Sequence, residues 1–486
     1  MTEFTKDQII SKAFKFHSEG NIVEAAKYYQ YFINKGFKSH IVFSNYGAIL
    51  KSSGKLNEAE LSIRKAIKLN PEYAEAHYNL GVVLKNLGKL KEAESSYRKA
   101  VELNSNYAIA FCNLGNILRD SGNLKEAELF TRRALEINPD YAIAFCNLGN
   151  ILNDLGKLKE AESSYRKAIE LNPNYAIAYS NLGSISKDLG KLEQSEKSLL
   201  QAIKIKPDFG KAYFLLSTLE VTSKQKNWEQ YLFSRKILNN QNNINLIDIY
   251  FARANILEKK LKYKQSSNMF IKGNTLIRKK YGSNYIHEKN QMQYFYEIWQ
   301  HIKSKKVRKK NQLTSIFIVG LPRSGKTLTE SILSCNKSLL KCGEDSALTR
   351  AVDKYLNPKV ITNKQDLYQL YVDNLSRVIS NESYICSTTP GNYKYTGIIV
   401  SQILKSKVIY CFRNPLDHLK ELYCRNLMNK FTFKTSIAES AKILLSINKL
   451  MENYKKVYNS KIYFLNYDKL VTHPEKEIKS LLDWLG

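Results

Sequence analysis

The stretch "YAIAFCNLGNILRDSGNLKEAELFTRRALEINPD", residues 107–140, is followed at once by "YAIAFCNLGNILNDLGKLKEAESSYRKAIELNPN", residues 141–174. Residues 73–106 follow the same pattern, so the chain repeats itself with a period of 34 residues. A repeat of this length is typical of helix pairs that stack on one another, because no single pair can bury its apolar face alone. The sequence therefore predicts an all-α array in the first half of the chain.

Four kinds of landmark keep this period: a Leu-Gly pair on the first helix, a glycine that ends it, an alanine where the paired helices approach, and a proline after the second helix. They are Leu80-Gly81, Leu114-Gly115, Leu148-Gly149 and Leu182-Gly183; Gly54, Gly88, Gly122, Gly156 and Gly190; Ala59, Ala93, Ala127 and Ala161; Pro71, Pro139, Pro173 and Pro207. The pattern resembles tetratricopeptide repeats (TPRs). The resemblance implies a TPR superhelix of about seven repeats over residues 1–245, with degenerate outer units, and a last TPR-like repeat over 246–282.

Asparagine occupies the same place in five consecutive units, at Asn45, Asn79, Asn113, Asn147 and Asn181. An amide side chain offers a donor and an acceptor, so a ladder of asparagines could pair with the backbone of an extended peptide. The ladder is similar to the one in protein O-glycosyltransferases with TPR superhelices. The alternative is that Asn-Leu-Gly is TPR consensus and packs neighbouring repeats. The sequence leaves both interpretations open.

Composition restricts the class of protein. A formal net charge of +30, concentrated after residue 210, favours anionic ligands. The seven cysteines and seven histidines show no metal-ligand spacing, which predicts a reducing, cytoplasmic location and no metal site. Neither a secretory signal nor a membrane span is visible, so no membrane partner is expected. The run "KSKKVRKK", residues 303–310, is interpreted as part of a basic linker rather than a nucleic-acid patch.

From residue 313 the pattern changes to short apolar runs that alternate with helical stretches: "SIFIVG", "SYICS", "KVIYCF" and "KIYFLNY". This alternation predicts an α/β domain, P-loop-like, with a parallel sheet covered by helices over residues 313–486. Residues 283–312 are then a helical and basic linker. Ligands of such a sheet bind beyond the carboxyl ends of its strands, where Gly320 and Arg413 lie.

The loop "GLPRSGKT", residues 320–327, fits two patterns. It matches the Walker A loop of ATP- or GTP-using enzymes. However, "KVIYCFRNPLD" places Arg413 where the magnesium shell needs a carboxylate, and "KIYFLNYD" reaches Asp468 only after its apolar run. The sequence therefore gives only weak support for the magnesium site that a nucleotide hydrolase needs.

The second pattern covers more of the chain. "FIVGLPRSGKTLTESIL" resembles the 5′-phosphosulfate loop of sulfotransferases, which use 3′-phosphoadenosine 5′-phosphosulfate (PAPS). "LLKCGE" resembles the segment that places a catalytic glutamate in tyrosylprotein sulfotransferases, and "VIYCFRNPLD" resembles the turn that brings an arginine to the 3′-phosphate. "YFLNYDKLVTHPEKEIKSLLDWLG" resembles the stretch that follows in this superfamily, and residues 251–280 resemble the last repeat of bacterial proteins that join TPR arrays to such a domain.

The resemblance implies a site and a reaction. Glu344 accepts the proton of an acceptor hydroxyl, and Lys326 lies beside the phosphosulfate. The donor PAPS, an anionic nucleotide, is held without a metal, and a protein or peptide acceptor is held by the TPR groove. The residues implied to bind the nucleotide are Gly320, Pro322, Arg323, Ser324, Gly325, Lys326, Thr327, Leu328 and Arg413.

Four features depart from the family pattern. Lys326 replaces a threonine, Ser387 and Thr388 replace an Asp-Lys pair, and Glu421 replaces a serine that helps to hold the 3′-phosphate. The chain also ends at Gly486, where relatives usually continue. Three functions therefore stay open: a PAPS-dependent sulfotransferase, a TPR scaffold with a degenerate nucleotide domain, and a P-loop kinase or NTPase.

Overall fold

A computed structural model describes the chain except residues 1–3, 221–226, 240, 305–312, 357–365, 376–378, 380–381 and 428–430. Contacts divide the chain into two compact units, Met1–Asn181 and Leu182–Gly486. This division lies well before the predicted end of the repeats at residue 282. The later repeats group with the α/β domain because their helices share contacts with it.

The first unit consists of antiparallel helix pairs. They are α1 (Lys6–Ser18), α2 (Ile22–Asn34), α3 (His40–Ser52), α4 (Leu56–Leu69), α5 (Ala74–Asn86), α6 (Leu90–Leu103), α7 (Ala108–Asp120), α8 (Leu124–Ile137), α9 (Ala142–Asp154) and α10 (Leu158–Leu171), and α11 (Ala176–Asp188) crosses into the second unit. The predicted all-α TPR array is confirmed.

The repeat landmarks explain how the pairs form. Gly88, after α5, has φ of 77°, a left-handed conformation that lets the chain reverse into α6. Ala93 is fully buried, and a Cβ on Gly81 would lie 2.7 Å from the ring of Tyr97. The two helices therefore approach so closely that only hydrogen fits at residue 81.

Ion pairs join successive repeats on the second helices. Arg64 contacts Glu60 on its own helix at 2.8 Å and Glu92 of the next repeat at 3.0 Å. Arg98 repeats the arrangement with Glu126 at 2.7 Å. Because the arginines are partly exposed, each pair contributes little stability, and the pairs recur at the spacing of the repeat.

The second unit begins with helices and continues into the α/β domain. Its helices are α12 (Leu192–Ile205), α13 (Gly210–Ser217), α14 (Asn227–Phe233), α15 (Asn243–Lys259), α16 (Tyr263–Tyr281), α17 (Tyr285–Ile302), α18 (Lys326–Leu333), α19 (Ala347–Tyr355), α20 (Leu367–Asp373), α21 (Thr396–Gln402), α22 (Pro415–Cys424), α23 (Ile437–Val457), α24 (Tyr467–Thr472) and α25 (Pro474–Leu485). Short 3₁₀ turns cover Lys236–Leu238, Asn392–Tyr395, Thr432–Thr435 and Asn459–Lys461.

The described residues of this unit form one five-stranded sheet, and all its strand pairs are parallel. The strands are β1 (Thr314–Val319), β2 (Leu339–Lys341), β3 (Tyr384–Ser387), β4 (Ser406–Phe412) and β5 (Ile462–Asn466), in the order β2-β3-β1-β4-β5. The predicted parallel sheet is confirmed. The short edge strand β2 was not predicted, because three residues carry no periodic signal.

Alternate residues of β1 face opposite cores. Phe317 and Val319 pack with helices on one face, and Ile316 and Ile318 pack on the other face with residues such as Leu333 and Leu481. Helices therefore cover both faces of the sheet, which leaves its ends as the places where a ligand can reach the backbone.

The prediction that residues 283–312 form a linker is wrong for the part that the structure describes. Helix α17 buries Met292, Phe295, Trp299 and Ile302 in the core of the α/β domain. The run at 303–310 lies mostly outside the described residues. The lysines and arginines of that run suggested a solvated segment. The apolar face of α17, which precedes the run, instead packs this part of the chain against the α/β domain.

Candidate active site

The loop Gly320–Gly325, called the phosphate loop below, joins the central strand β1 to helix α18. Gly320 has φ of 143°, and a Cβ there would lie 2.5 Å from the carbonyl oxygen of Cys411 on β4. Gly325 has φ of 98°, and a Cβ there would lie 2.3 Å from the ring of Tyr467. Both glycines are therefore required, and they turn the loop so that its amides precede the N-terminus of α18, an arrangement that attracts anions.

Ser324 and Arg413 both have side-chain atoms that fit an anionic ligand. Ser324 is fully buried, and its Oγ has no hydrogen-bond partner among the described residues. The Nε of Arg413 likewise has no hydrogen-bond partner there and lies 3.9 Å from Asp468 Oδ1, beyond hydrogen-bond distance. The guanidinium stacks 5.1 Å from the ring of Tyr467. Buried donors without partners are costly, so these two residues fit a site for phosphate or sulfate oxygens.

Lys326 points into the loop. The residue is 6% exposed, and its Nζ donates a hydrogen bond to the Leu321 carbonyl at 3.1 Å. Burial lowers the pKa of Lys326, and the nearby charge of Glu344 acts in the opposite direction. The side chain thus holds the loop from inside, and the expected contact with a phosphosulfate group stays a prediction.

Glu344 is exposed in the turn after β2. Two contacts fix this turn: Gly343 N donates to Glu330 Oε1 at 3.0 Å, and Thr388 N donates to the Gly343 carbonyl at 2.8 Å. Glu330, on α18, is itself buried and pairs with Lys341 at 3.5 Å. The predicted base is therefore attached to the helix that follows the phosphate loop, through a glutamate that the sequence analysis missed.

The remaining predicted residues lie around the same loop. The Pro322 carbonyl bonds to Nε2 of His418 at 2.8 Å. Thr327 and Leu328, in the first turn of α18, are exposed. Arg323 adopts φ of 68°, unusual for a side chain other than glycine, and its Nε donates to Glu421 at 3.3 Å.

Glu421 does not match its expected position. The sequence placed it toward the phosphate that Arg413 attracts, whereas its carboxylate accepts hydrogen bonds from Arg323 at 3.3 Å and from Arg425 at 3.0 Å. Burial raises the pKa of Glu421, but these two guanidinium groups outweigh burial and hold the pKa below its ordinary value. Glu421 thus pairs with the arginine of the loop and with Arg425, and its expected effect on a 3′-phosphate stays a prediction.

The asparagine ladder lies in the first unit, where each amide contacts the preceding repeat. Asn79 donates to Ser44 Oγ at 3.1 Å, Asn113 to Tyr78 Oη at 3.2 Å and Asn147 to Cys112 Sγ at 3.1 Å. Asn45 donates to Tyr29 and Asn181 to Cys146 and Asn150. The side-chain N–H groups of the ladder therefore join each repeat to the one before it. The Oδ1 atoms of Asn79, Asn113 and Asn147 accept no hydrogen bond from the described residues.

Two further observations concern metals and membranes. Among the described residues, no group of three or more histidine, cysteine, aspartate or glutamate side chains is arranged to hold a metal ion. No helix in the described part of the chain is long and apolar enough to cross a membrane.

Comparisons with family models agree with the two halves of the structure. Residues 315–486 match a model described as Sulfotransferase family. Residues 74–107, 108–141 and 142–175 match a tetratricopeptide repeat, and further tetratricopeptide matches cover 47–88 and 164–197. The chain therefore carries a sulfotransferase-family domain behind an N-terminal TPR array, which confirms the resemblance.

Individual relatives match only part of this chain. An uncharacterized protein of Aquifex aeolicus (strain VF5) is 26% identical over 256 residues, or 48% of this chain; the chain spans about a third of that protein, 34%. YrrB, described as a TPR protein with an unusual peptide-binding site, is 29% identical, with 39% of this chain and 97% of YrrB covered and a TM-score of 0.33. A TPR protein from Parabacteroides merdae ATCC 43184 is 18% identical, with 56% and 93% covered and a TM-score of 0.40.

Proposed function

We propose that residues 313–486 transfer a sulfuryl group from PAPS to a hydroxyl group, and that the TPR array holds a protein or peptide that carries this hydroxyl. The observation that supports the reaction is the convergence of three turns. The turn of Glu344 follows β2, the phosphate loop follows β1, and Arg413 follows β4. Because the strands are parallel, all three turns lie at one edge of the sheet.

In this proposal, each residue has a distinct task. The loop amides and Ser324 bind the oxygens of the 5′-phosphosulfate, and Arg413 binds the 3′-phosphate. Glu344 accepts the proton of the acceptor hydroxyl. The hydroxyl oxygen forms a bond to sulfur while the bond between sulfur and the 5′-phosphate oxygen breaks, and Lys326 and Arg323 stabilise the charge left on that oxygen.

A P-loop kinase or NTPase is supported less well. The two strands beside β1 are β3 and β4, and the residues at their carboxyl ends are Ser387 with Thr388 and Phe412 with Arg413. Neither strand supplies the carboxylate that a magnesium shell requires next to a Walker A loop. Asp468 follows β5 and instead accepts a hydrogen bond from Asn414 N at 2.5 Å.

A TPR scaffold with an inactive nucleotide domain is supported by one observation. Arg323, the arginine of the phosphate loop, is already paired with Glu421. If that pair persists, the loop presents less positive charge to a nucleotide than the family pattern implies.

Thermal shift with nucleotides separates the three functions. Stabilisation by 3′,5′-ADP without magnesium supports the sulfotransferase, and stabilisation by ATP with magnesium supports the NTPase. At a hundred times its dissociation constant, a ligand adds about 2.7 kcal/mol to the free energy of unfolding. Stabilisation by neither nucleotide favours the scaffold.

The reaction itself is tested with radiosulfur-labelled PAPS and a library of peptides that contain hydroxyl side chains. Transfer of label by the natural chain and its loss in Glu344→Gln support the assigned base. Gln is close to Glu in size, so the exposed site keeps its fold while the proton acceptor is lost. Equal transfer by the Glu344→Gln variant contradicts the role of Glu344 as the base.

A further inference from the structure

Two side chains of helix α22, His418 and Glu421, contact the phosphate loop and lie one helical turn apart. We infer that His418 is a positioning residue that holds the phosphate loop in its anion-binding conformation, and that Glu421 restrains the side chain of Arg323 until an anion competes for it. The consequence for nucleotide affinity rests on the proposed function, whereas the effect on the loop does not.

The contacts on the loop are to consecutive residues. His418 Nε2 lies 2.8 Å from the Pro322 carbonyl oxygen, and Glu421 Oε2 lies 3.3 Å from Arg323 Nε. The backbone of Arg323 is in a left-handed conformation that residues other than glycine rarely adopt. Such a conformation persists only where surrounding contacts fix it, and the bond from His418 fixes the carbonyl just before it.

The environment of His418 suits a neutral donor. The side chain is 1% exposed, and burial lowers its pKa to about 4, which the positive charges of Arg413 and Lys326 reinforce. A neutral imidazole has one N–H, and only a protonated Nε2 can donate to a carbonyl. The other nitrogen, Nδ1, has no hydrogen-bond partner among the described residues, so the bond to Pro322 is the polar contact that orients the ring.

Helix α22 can position the loop because helices α15 and α16 contact it at residues other than His418 and Glu421. Lys420 Nζ contacts Glu258 Oε1 of α15 at 3.1 Å, and Asn274 Nδ2 of α16 donates to the Tyr423 carbonyl at 3.0 Å. Just beyond the helix, Asn426 Nδ2 donates to Asp248 Oδ1 at 2.6 Å. Helix α22 is therefore fixed by contacts that do not involve the loop.

Glu421 acts on the side chain of Arg323 and not on its backbone. It shares its charge between Arg323 and Arg425, so the loop arginine has a carboxylate partner in the structure described here. An anion bound to the loop would compete with that carboxylate for Arg323. Removing the carboxylate should therefore strengthen anion binding, which is the opposite of the effect of removing His418.

Hydrogen–deuterium exchange of the ligand-free full chain tests the loop directly. We expect His418→Leu to accelerate exchange of the amides in residues 320–326 by about two- to twelvefold, the factor that corresponds to one buried hydrogen bond. His418→Gln, whose amide can donate to the same carbonyl, should restore slow exchange. Gln402→Leu is the matched control, because Gln402 is also buried and donates to a backbone carbonyl, that of Ile302, at 3.0 Å, outside the loop.

Titration calorimetry with 3′,5′-ADP tests the consequence. His418→Leu should weaken binding about two- to twelvefold, and Glu421→Ser should strengthen it. Unchanged exchange in His418→Leu, or acceleration equal to that in Gln402→Leu, overturns the inference. If the natural chain does not bind 3′,5′-ADP, the proposed function fails, and the exchange experiment still decides the role of His418. Weaker binding by Glu421→Ser overturns the restraining role of Glu421.

Discussion

The array and the phosphate loop both place glycine at positive φ, in very different surroundings. At Gly88 of the array, φ is 77° and an added Cβ would have no heavy atom within 4 Å. At Gly320 of the loop, φ is 143° and the Cβ would meet a backbone oxygen at 2.5 Å. Gly88 and equivalent glycines that end the first helix of other repeats therefore require only a backbone conformation, which the array repeats. Gly320 requires both a backbone conformation and close approach to a neighbouring strand, and this combination has no counterpart at Gly88.

The charged groups of the array and those of the second unit also differ in their surroundings. The ion pairs that link repeats of the array, such as Arg64 with Glu92, are partly exposed and recur with the repeat. In the second unit, Asp248 of α15 is buried and accepts a hydrogen bond from Asn426, and burial raises its pKa to about 7 despite the nearby charge of Lys211. A single change should thus alter stability little in the array and more strongly, in either direction, in the second unit, and the following variants test that difference in order of decreasing effect.

Gly320→Ala should have the largest effect. The substitution adds backbone strain of about 1–3 kcal/mol and overpacking of about 1–3 kcal/mol, so the free energy of unfolding should fall by roughly 2–6 kcal/mol. Urea unfolding followed by tryptophan fluorescence measures it cleanly, because Trp228, Trp299 and Trp484 all lie in the second unit. A loss below about 1 kcal/mol would contradict the close approach to Cys411.

Asp248→Asn should have a pH-dependent effect. The native state keeps a proton on Asp248 up to about pH 7, while the unfolded state loses it near its ordinary pKa of 3.8. The natural chain therefore loses stability as pH rises from about 4 through 7, by up to about 4 kcal/mol. The variant should gain stability over the natural chain near pH 8 and little near pH 4, as measured by the same fluorescence. Asp483→Asn, at an exposed position, is the control. A pH-independent difference would argue against a raised pKa of the carboxyl at residue 248.

The contrast also explains what the sequence could predict. The repeat landmarks specified α3 to α12 because each lies at a spacing of 34 residues, and β1, β3, β4 and β5 were visible as apolar runs. The buried helix α17 was taken as a linker, and β2 was missed. The contacts of Glu330, His418 and Glu421 join residues 13 or more positions apart and carry no periodic signal. An acid within the buried face of α18 and a histidine five residues after Arg413 were the available hints.

Asn113→Ala with Asn147→Ala tests the array at its ladder. Because both amides donate to the preceding repeat, the loss of two hydrogen bonds should lower the free energy of unfolding by about 1–3 kcal/mol. If the ladder also holds a peptide backbone, the affinity for a peptide selected by phage display against the natural chain should fall roughly five- to a hundredfold. Asn116→Ala, one turn later on the same helix as Asn113, is the control. Unchanged affinity in the folded double variant assigns the ladder to packing alone.

Gly88→Ala should have the smallest effect and sharpens the comparison most directly. The added Cβ meets nothing within 4 Å, so the cost is the left-handed conformation alone, about 1–2 kcal/mol. Gly88→Asn should cost less, because asparagine tolerates that conformation better than alanine. The first unit contains no tryptophan, so far-UV circular dichroism is used to follow its thermal unfolding, and nucleotide binding by the second unit should not change. If Gly88→Ala were as damaging as Gly320→Ala, crowding would not be what separates the two glycines, and the difference between array and loop would need another physical cause.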